Sequence, residues 1–196
     1  IPRQVVLSIH PMSLVMSSIA AVAGSSQHTL SVPPSTDRVF IAMNLASSGT
    51  TSQLQDGAAS FEPSFNALQV QYAGQAVPAS GYNDLYRLHS SRQSIEPFLD
   101  YQQASGKLYS EGSSSEDLST WENRPIYGFS FESPPTDTST NVSVRMSRSV
   151  ASGIFGSSAN AVAPANLLLF AQSHQAVVIS YSADGLIEVV SAVVEF

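Results

Sequence analysis

Four histidines, His10, His28, His89 and His174, are the side chains of this sequence best suited to proton transfer or metal ligation near neutral pH. None has a second ligand-type residue at a spacing that a strand or helix would bring onto one face, so the sequence predicts no metal motif. The acids Glu96, Asp100 and Glu122 lie near aromatic residues, but no pair is spaced for general acid and base work. Serines are abundant, yet there is no Gly-x-Ser-x-Gly elbow of the kind that exposes a nucleophile between strand and helix. The stretch SEGSSSED, with Glu111, Glu116 and Asp117, lacks the spaced carboxylates and turn glycine of a calcium loop and reads as a solvated acidic loop. Cysteine is absent, which removes both disulfides and thiolates. Asn141-Val142-Ser143 fits the N-glycosylation pattern but falls inside an expected strand, and it reads as incidental. The residues therefore predict no catalytic, metal or cofactor-binding site, no cofactor, and a protein that is not an enzyme.

A chain without a chemical site has to be understood through its scaffold. With 196 residues, 43% hydrophobic and 12% charged, it can bury a core as a single domain spanning residues 1–196. Eight Lys and Arg against 15 Asp and Glu give a net charge of -7, so a surface that tracks phosphates is not expected, nor is direct contact with nucleic acid. The N-terminal PRQVVLSIHPMSLVMSSIAAVAGSS imitates a secretory signal through Arg3, its apolar residues and its AVAG. His10-Pro11 and several serines interrupt the imitation, so the segment reads as mature structure. No run reaches the roughly 18 apolar residues of a membrane-spanning helix. The start at Ile1 rather than Met fits a piece of a longer protein.

Alternation of apolar and polar residues predicts strands along most of the chain. One or two cover residues 5–24, and a short one, HTLSV, stops at Pro33-Pro34. In DRVFIAMNLAS, Val39, Ile41, Met43 and Leu45 share a face. NALQVQYAGQAVPASGYN reads as a hairpin with its turn at Gly74-Gln75. The period then changes: Leu85, Leu88, Ile95 and Leu99 fall near helical spacing, with Asp84 as a cap, predicting one or two short helices between Asp84 and Gln103. Residues 110–125 read as an exposed loop whose Trp121 anchors the loop's end rather than the main core. Strands return at 126–131 and 141–148. The closing run from Asn166 holds three more segments, parted at Ser173-His174 and at Ala183-Asp184-Gly185. Eight or nine short strands without a βαβ rhythm predict an all-β fold: an antiparallel β-sandwich of jelly-roll type with a short helical excursion in mid-chain.

Tyr127, Phe129 and Phe131, followed by Pro134-Pro135, by Asn141 and Ser143, by Leu168, Phe170, His174, Val178 and Ile179, and by Gly185, occur in a telling order. That order, over residues 66–190, resembles the C-terminal jelly roll of double jelly-roll major capsid proteins of double-stranded DNA viruses, of the virophage, polinton-like and adintovirus type. TDTSTNVS replaces the Gly-rich turn found there in the large viruses, which points toward a smaller, divergent relative. The resemblance implies a structural capsid protein of the virion, assembled inside the host cell. It would self-assemble as trimers into an icosahedral shell, with copies of itself and with penton or minor capsid proteins as partners. This chain would then be the C-terminal half of a longer chain or a single-barrel relative. Expected core positions are Leu68, Val70, Phe129, Phe131, Leu168 and Phe170, and expected contact regions are residues 84–103 and 110–124. The alternative from another class is a secreted or surface carbohydrate-binding module stacking sugars on Tyr82, Tyr86, Tyr101, Tyr109 or Trp121.

Overall fold

The computed structural model describes residues 3–20, 24–45, 65–83, 85, 95–106, 117–123, 125–131, 140–148, 165–181 and 187–192. Its strands are β1 (Arg3–Ile9), β2 (Met12–Ile19), β3 (Gly24–Val32), β4 (Thr36–Leu45), β5 (Phe65–Tyr72) and β6 (Gln75–Asn83). After helices α1 (Ile95–Ala104) and α2 (Leu118–Asn123) come β7 (Tyr127–Ser130), β8 (Thr140–Arg148), β9 (Ala165–Ser173), β10 (Gln175–Tyr181) and β11 (Ile187–Ala192).

Eight strands form two four-stranded antiparallel sheets in the orders β2-β9-β4-β7 and β3-β8-β5-β6. From β2 to β9 the chain changes sheet at every connection except that from β5 to β6. This winding of two Greek keys around one core is a jelly roll, as the alternation predicts. The strand count is higher than expected, because β1, β10 and β11 make a third sheet in the order β1-β10-β11.

The core lies between the two large sheets. Val39, Ile41 and Met43 of β4 and Leu167, Leu169 and Ala171 of β9 meet Leu68, Val70 and Tyr72 of β5 and Val142, Val144 and Met146 of β8, none more than 3% exposed. In β4 the intervening Phe40 and Ala42 are buried too, because α1 lies over the outer side and Tyr101 meets Phe40 edge-on at 6.4 Å. The helix comes so close that a Cβ on Gly128 of β7 would stand 2.9 Å from the Ala104 Cβ and 3.0 Å from the Tyr101 Cα, which explains glycine there.

Phe129 and Phe131 are buried as expected, but β9 is turned one residue from expectation. Leu167 and Leu169 face the core, while Leu168 and Phe170 lie half-buried on the outer side. In LLLF every residue is apolar, so the pattern carries no phase, and a shift of one exchanges the faces. Leu167→Ala is expected to lower stability by about 2–5 kcal/mol and Leu168→Ala by distinctly less, compared by urea titration. Equal losses would contradict the register.

The hairpin turn also sits one residue early, at Ala73-Gly74, whose φ values of 47° and 82° are the pair of positive angles that a two-residue primed turn requires. The Asp184-Gly185 turn lies outside the described residues, although the antiparallel pairing of β10 with β11 is clear.

Candidate functional site: an exposed apolar ladder

The chemistry-bearing side chains mostly serve structure. His10 and His174, far apart in sequence, come together with ring centroids 4.8 Å apart, and Ser8 Oγ is 2.8 Å from His174 Nε2. His28 sits between Ser17 and Ser26, at 3.0 and 3.2 Å, and partial burial lowers its pKa. His89 lies outside the described residues. Among the described residues, no three His, Asp or Glu side chains cluster as a metal site would need. Glu111 and Glu116 also lie outside them, while Asp117 caps α2, accepting from the Thr120 amide at 2.7 Å and the Ser119 hydroxyl at 3.0 Å.

That cap explains a correction. Residues 110–125 were expected to form a loop with Trp121 anchored at its end. Residues 118–123 instead form α2, and Trp121 is 1% exposed within the main core. Its ring lies 5.6 Å from Tyr127 and 5.7 Å from Phe98, and its Nε1 donates to the Ile126 carbonyl at 2.9 Å. Hydrogen bonds from the Thr120 hydroxyl and amide, then from Ser119, hold Asp117 below the usual carboxyl range. A lowered folded-state pKa stabilises above the unfolded value and is lost as pH falls through the lowered one. Acidification is therefore expected to loosen α2 and red-shift the emission of the chain's one tryptophan. Asp117→Asn, which keeps the cap without titrating, should remove that step; an unchanged step would contradict the assignment.

The aromatic platform of the carbohydrate-binding alternative is not available at its central positions. Tyr82, Tyr101 and Trp121 are 5%, 8% and 1% exposed. Tyr82 reaches through the core edge and donates its hydroxyl to the Asp100 carboxylate, with burial first and that bond second raising its pKa. Tyr86 and Tyr109 lie outside the described residues.

The surface that stands out is apolar. β1 with β10, and β2 with β9, pair in one unbroken register across a kink at His10-Pro11 and His174, Ile9 facing Gln175 before it and Met12 facing Gln172 after it. Pro11 has no N–H to give the ladder, but its carbonyl accepts from Ser173 N at 3.0 Å, and His174 N turns to the Ser35 carbonyl at 2.9 Å. Along β2, Val15 and Ile19 point into the sandwich. By register the same side of the ladder continues as Val5, Leu7 and Ile9, which are 43%, 45% and 40% exposed. The other side carries Val6 at 52%, Met12 at 57%, Leu14 at 52% and Met16 at 64%, flanked by half-buried Leu168 and Phe170.

Seven of the nine large apolar side chains that are exposed among the described residues thus belong to β1 and β2. Monomers rarely leave more than a few hundred Å² of contiguous apolar surface open. β1 is moreover an edge strand, and Gln4 to Ile9 offer neither charge nor proline to block pairing with another chain. The contact regions expected from the sequence, residues 84–103 and 110–124, do not include this surface. The available signal was that Val5, Val6 and Leu7, and then Leu14, Val15 and Met16, are apolar on both faces of a strand.

The two sheet orders define the class, a jelly-roll sandwich with a three-stranded extension. No protein-family model and no curated protein matches the chain. Among solved structures, a chain of the Sputnik virophage determined by cryo-electron microscopy superposes with a TM-score of 0.54 at 11% identity, covering 100% of this chain and 40% of that one. The mavirus major capsid protein gives 0.48 at 8% identity, covering 99% and 42%. PBCV-1 VP54, fitted into a reconstruction of Sputnik, gives 0.49 at 11% identity, covering 98% and 52%. This chain spans from two fifths to about half the length of those structures.

Proposed function

We propose that the chain is a structural building block of a viral capsid, one jelly roll that works by self-association and not by catalysis. The observation that carries this reading is the apolar ladder of β1 and β2, open on both faces and at its edge. The jelly-roll likeness to a Sputnik virophage chain supports it. The length of that chain supports reading residues 1–196 as a single barrel, of which a complete subunit would hold two. In this reading the partners are further copies, arranged as trimers, together with other capsid proteins, and the location is the virion.

The test is sedimentation velocity across a concentration series, with electron microscopy of the associated fraction. Concentration-dependent growth to a discrete oligomer or lattice is expected. A chain that stays monomeric at high concentration would contradict the proposal.

A further inference from the structure

The outward side of the sheet β3-β8-β5-β6 holds a cleft of about 480 Å³ that, unlike the apolar ladder, sets polar and charged side chains beside Leu68, Tyr82 and Met146. Its floor is a row of polar side chains set by register, Gln27 of β3 facing Arg145 of β8, which faces Gln69 of β5. Ser25, Ser147 and Asn83 line it beside that row. Its wall is a distortion of β6: Leu68 pairs with Tyr82 and Val70 with Val77, so Pro78–Gly81 loop out opposite Gln69 alone.

This wall is pinned. Gln69 Nε2 donates to the carbonyls of Pro78 at 3.2 Å and Ala79 at 2.9 Å. Gly81 turns at φ +70°, where an added Cβ would press on the Gln69 Cβ at 3.4 Å. Arg145 is exposed in the floor, away from the ion pair of Arg38 with Asp37 at 3.8 Å. A guanidinium offers a planar fork of donors that matches a carboxylate.

We propose that this cleft is a carboxylate socket that takes an Asp or Glu side chain from a neighbouring copy of the chain. Charge complementarity selects the occupant: each copy carries 15 acids against eight Lys and Arg, so the charged groups that a neighbouring copy offers to an exposed guanidinium are mainly carboxylates. An acidic sugar is the lesser fit, because the one aromatic ring lining the cleft, Tyr82, is buried and bound to Asp100. The occupant rests on the assembly reading; the carboxylate chemistry does not.

Two measurements separate them. Titrating the 15N-labelled protein with N-acetylglutamate amide is expected to shift the Arg145 Nε–H resonance saturably, with no such response in Arg145→Gln. No saturable shift, or a shift with N-acetylneuraminic acid alone, would overturn the socket. In sedimentation, Arg145→Gln is expected to weaken self-association about three- to ten-fold, with a smaller loss at high salt. Wild-type-like association of that variant at every salt concentration would remove the neighbouring copy as occupant while leaving assembly intact. A monomeric wild type would instead defeat the assembly reading, with a saturable shift still supporting the carboxylate site.

Discussion

Leu14→Glu is expected to abolish self-association while leaving the jelly roll folded. Leu14 is 52% exposed on the outer side of β2, opposite Phe170, so in the isolated chain a carboxylate there remains in water. Exposed substitutions of this kind usually change stability by no more than about 0.5 kcal/mol. Within an interface the same carboxylate would be desolvated without a partner, at a cost of several kcal/mol, enough to weaken association by roughly a thousand-fold. Val6→Glu, on the same side of the ladder but across the kink, is expected to act alike. Paired denaturation and sedimentation runs check both parts. Either variant assembling as the wild type does would show that the partner sits elsewhere.

Phe129→Ala is expected to cost about 3–5 kcal/mol of folding stability, the largest effect anticipated for a single core truncation here. Phe129 is 1% exposed, pairs with Val39 across the ladder and lies 5.9 Å from the Tyr82 ring. Removing it opens a cavity where β7 meets an aromatic group in which Tyr127 packs against both Tyr82 and Trp121, rings that close packing keeps from collapsing into the space. The midpoint of urea unfolding measures the loss. A cost below about 1 kcal/mol would mean that β7 does not present this face to the core.

How far the sequence disclosed this depended on whether one face of an element was polar. In β8, Val142, Val144 and Met146 alternate with Ser143, Arg145 and Ser147, and the strand reads directly. Across LLLF of β9 the contrast vanishes, and the predicted phase was wrong by one residue. The jelly-roll order was legible from strand number and breaks because Pro33-Pro34, Pro135 and Ser173-His174 punctuate the chain near strand ends. Trp121 was misplaced because its burial depends on a six-residue helix capped by Asp117, too short for periodicity to register. The exposed apolar ladder was missed for another reason. Apolar residues stand on both faces of β1 and β2, a pattern that a buried strand shares, and only the exposure of Val5, Val6, Leu7, Ile9, Met12, Leu14 and Met16 in the structure tells the two apart. The Arg145 cleft needs three strands in register and a looped-out segment, none of it encoded locally.

Amide hydrogen exchange on the dissociated and the assembled protein tests the central claim most directly. Assembly through the ladder predicts that protection is gained along Arg3–Ile19, strongest at the open edge of β1, while β4 and β8, already internal to their sheets, change little. Unchanged exchange across β1 and β2 in the assembled state would contradict it.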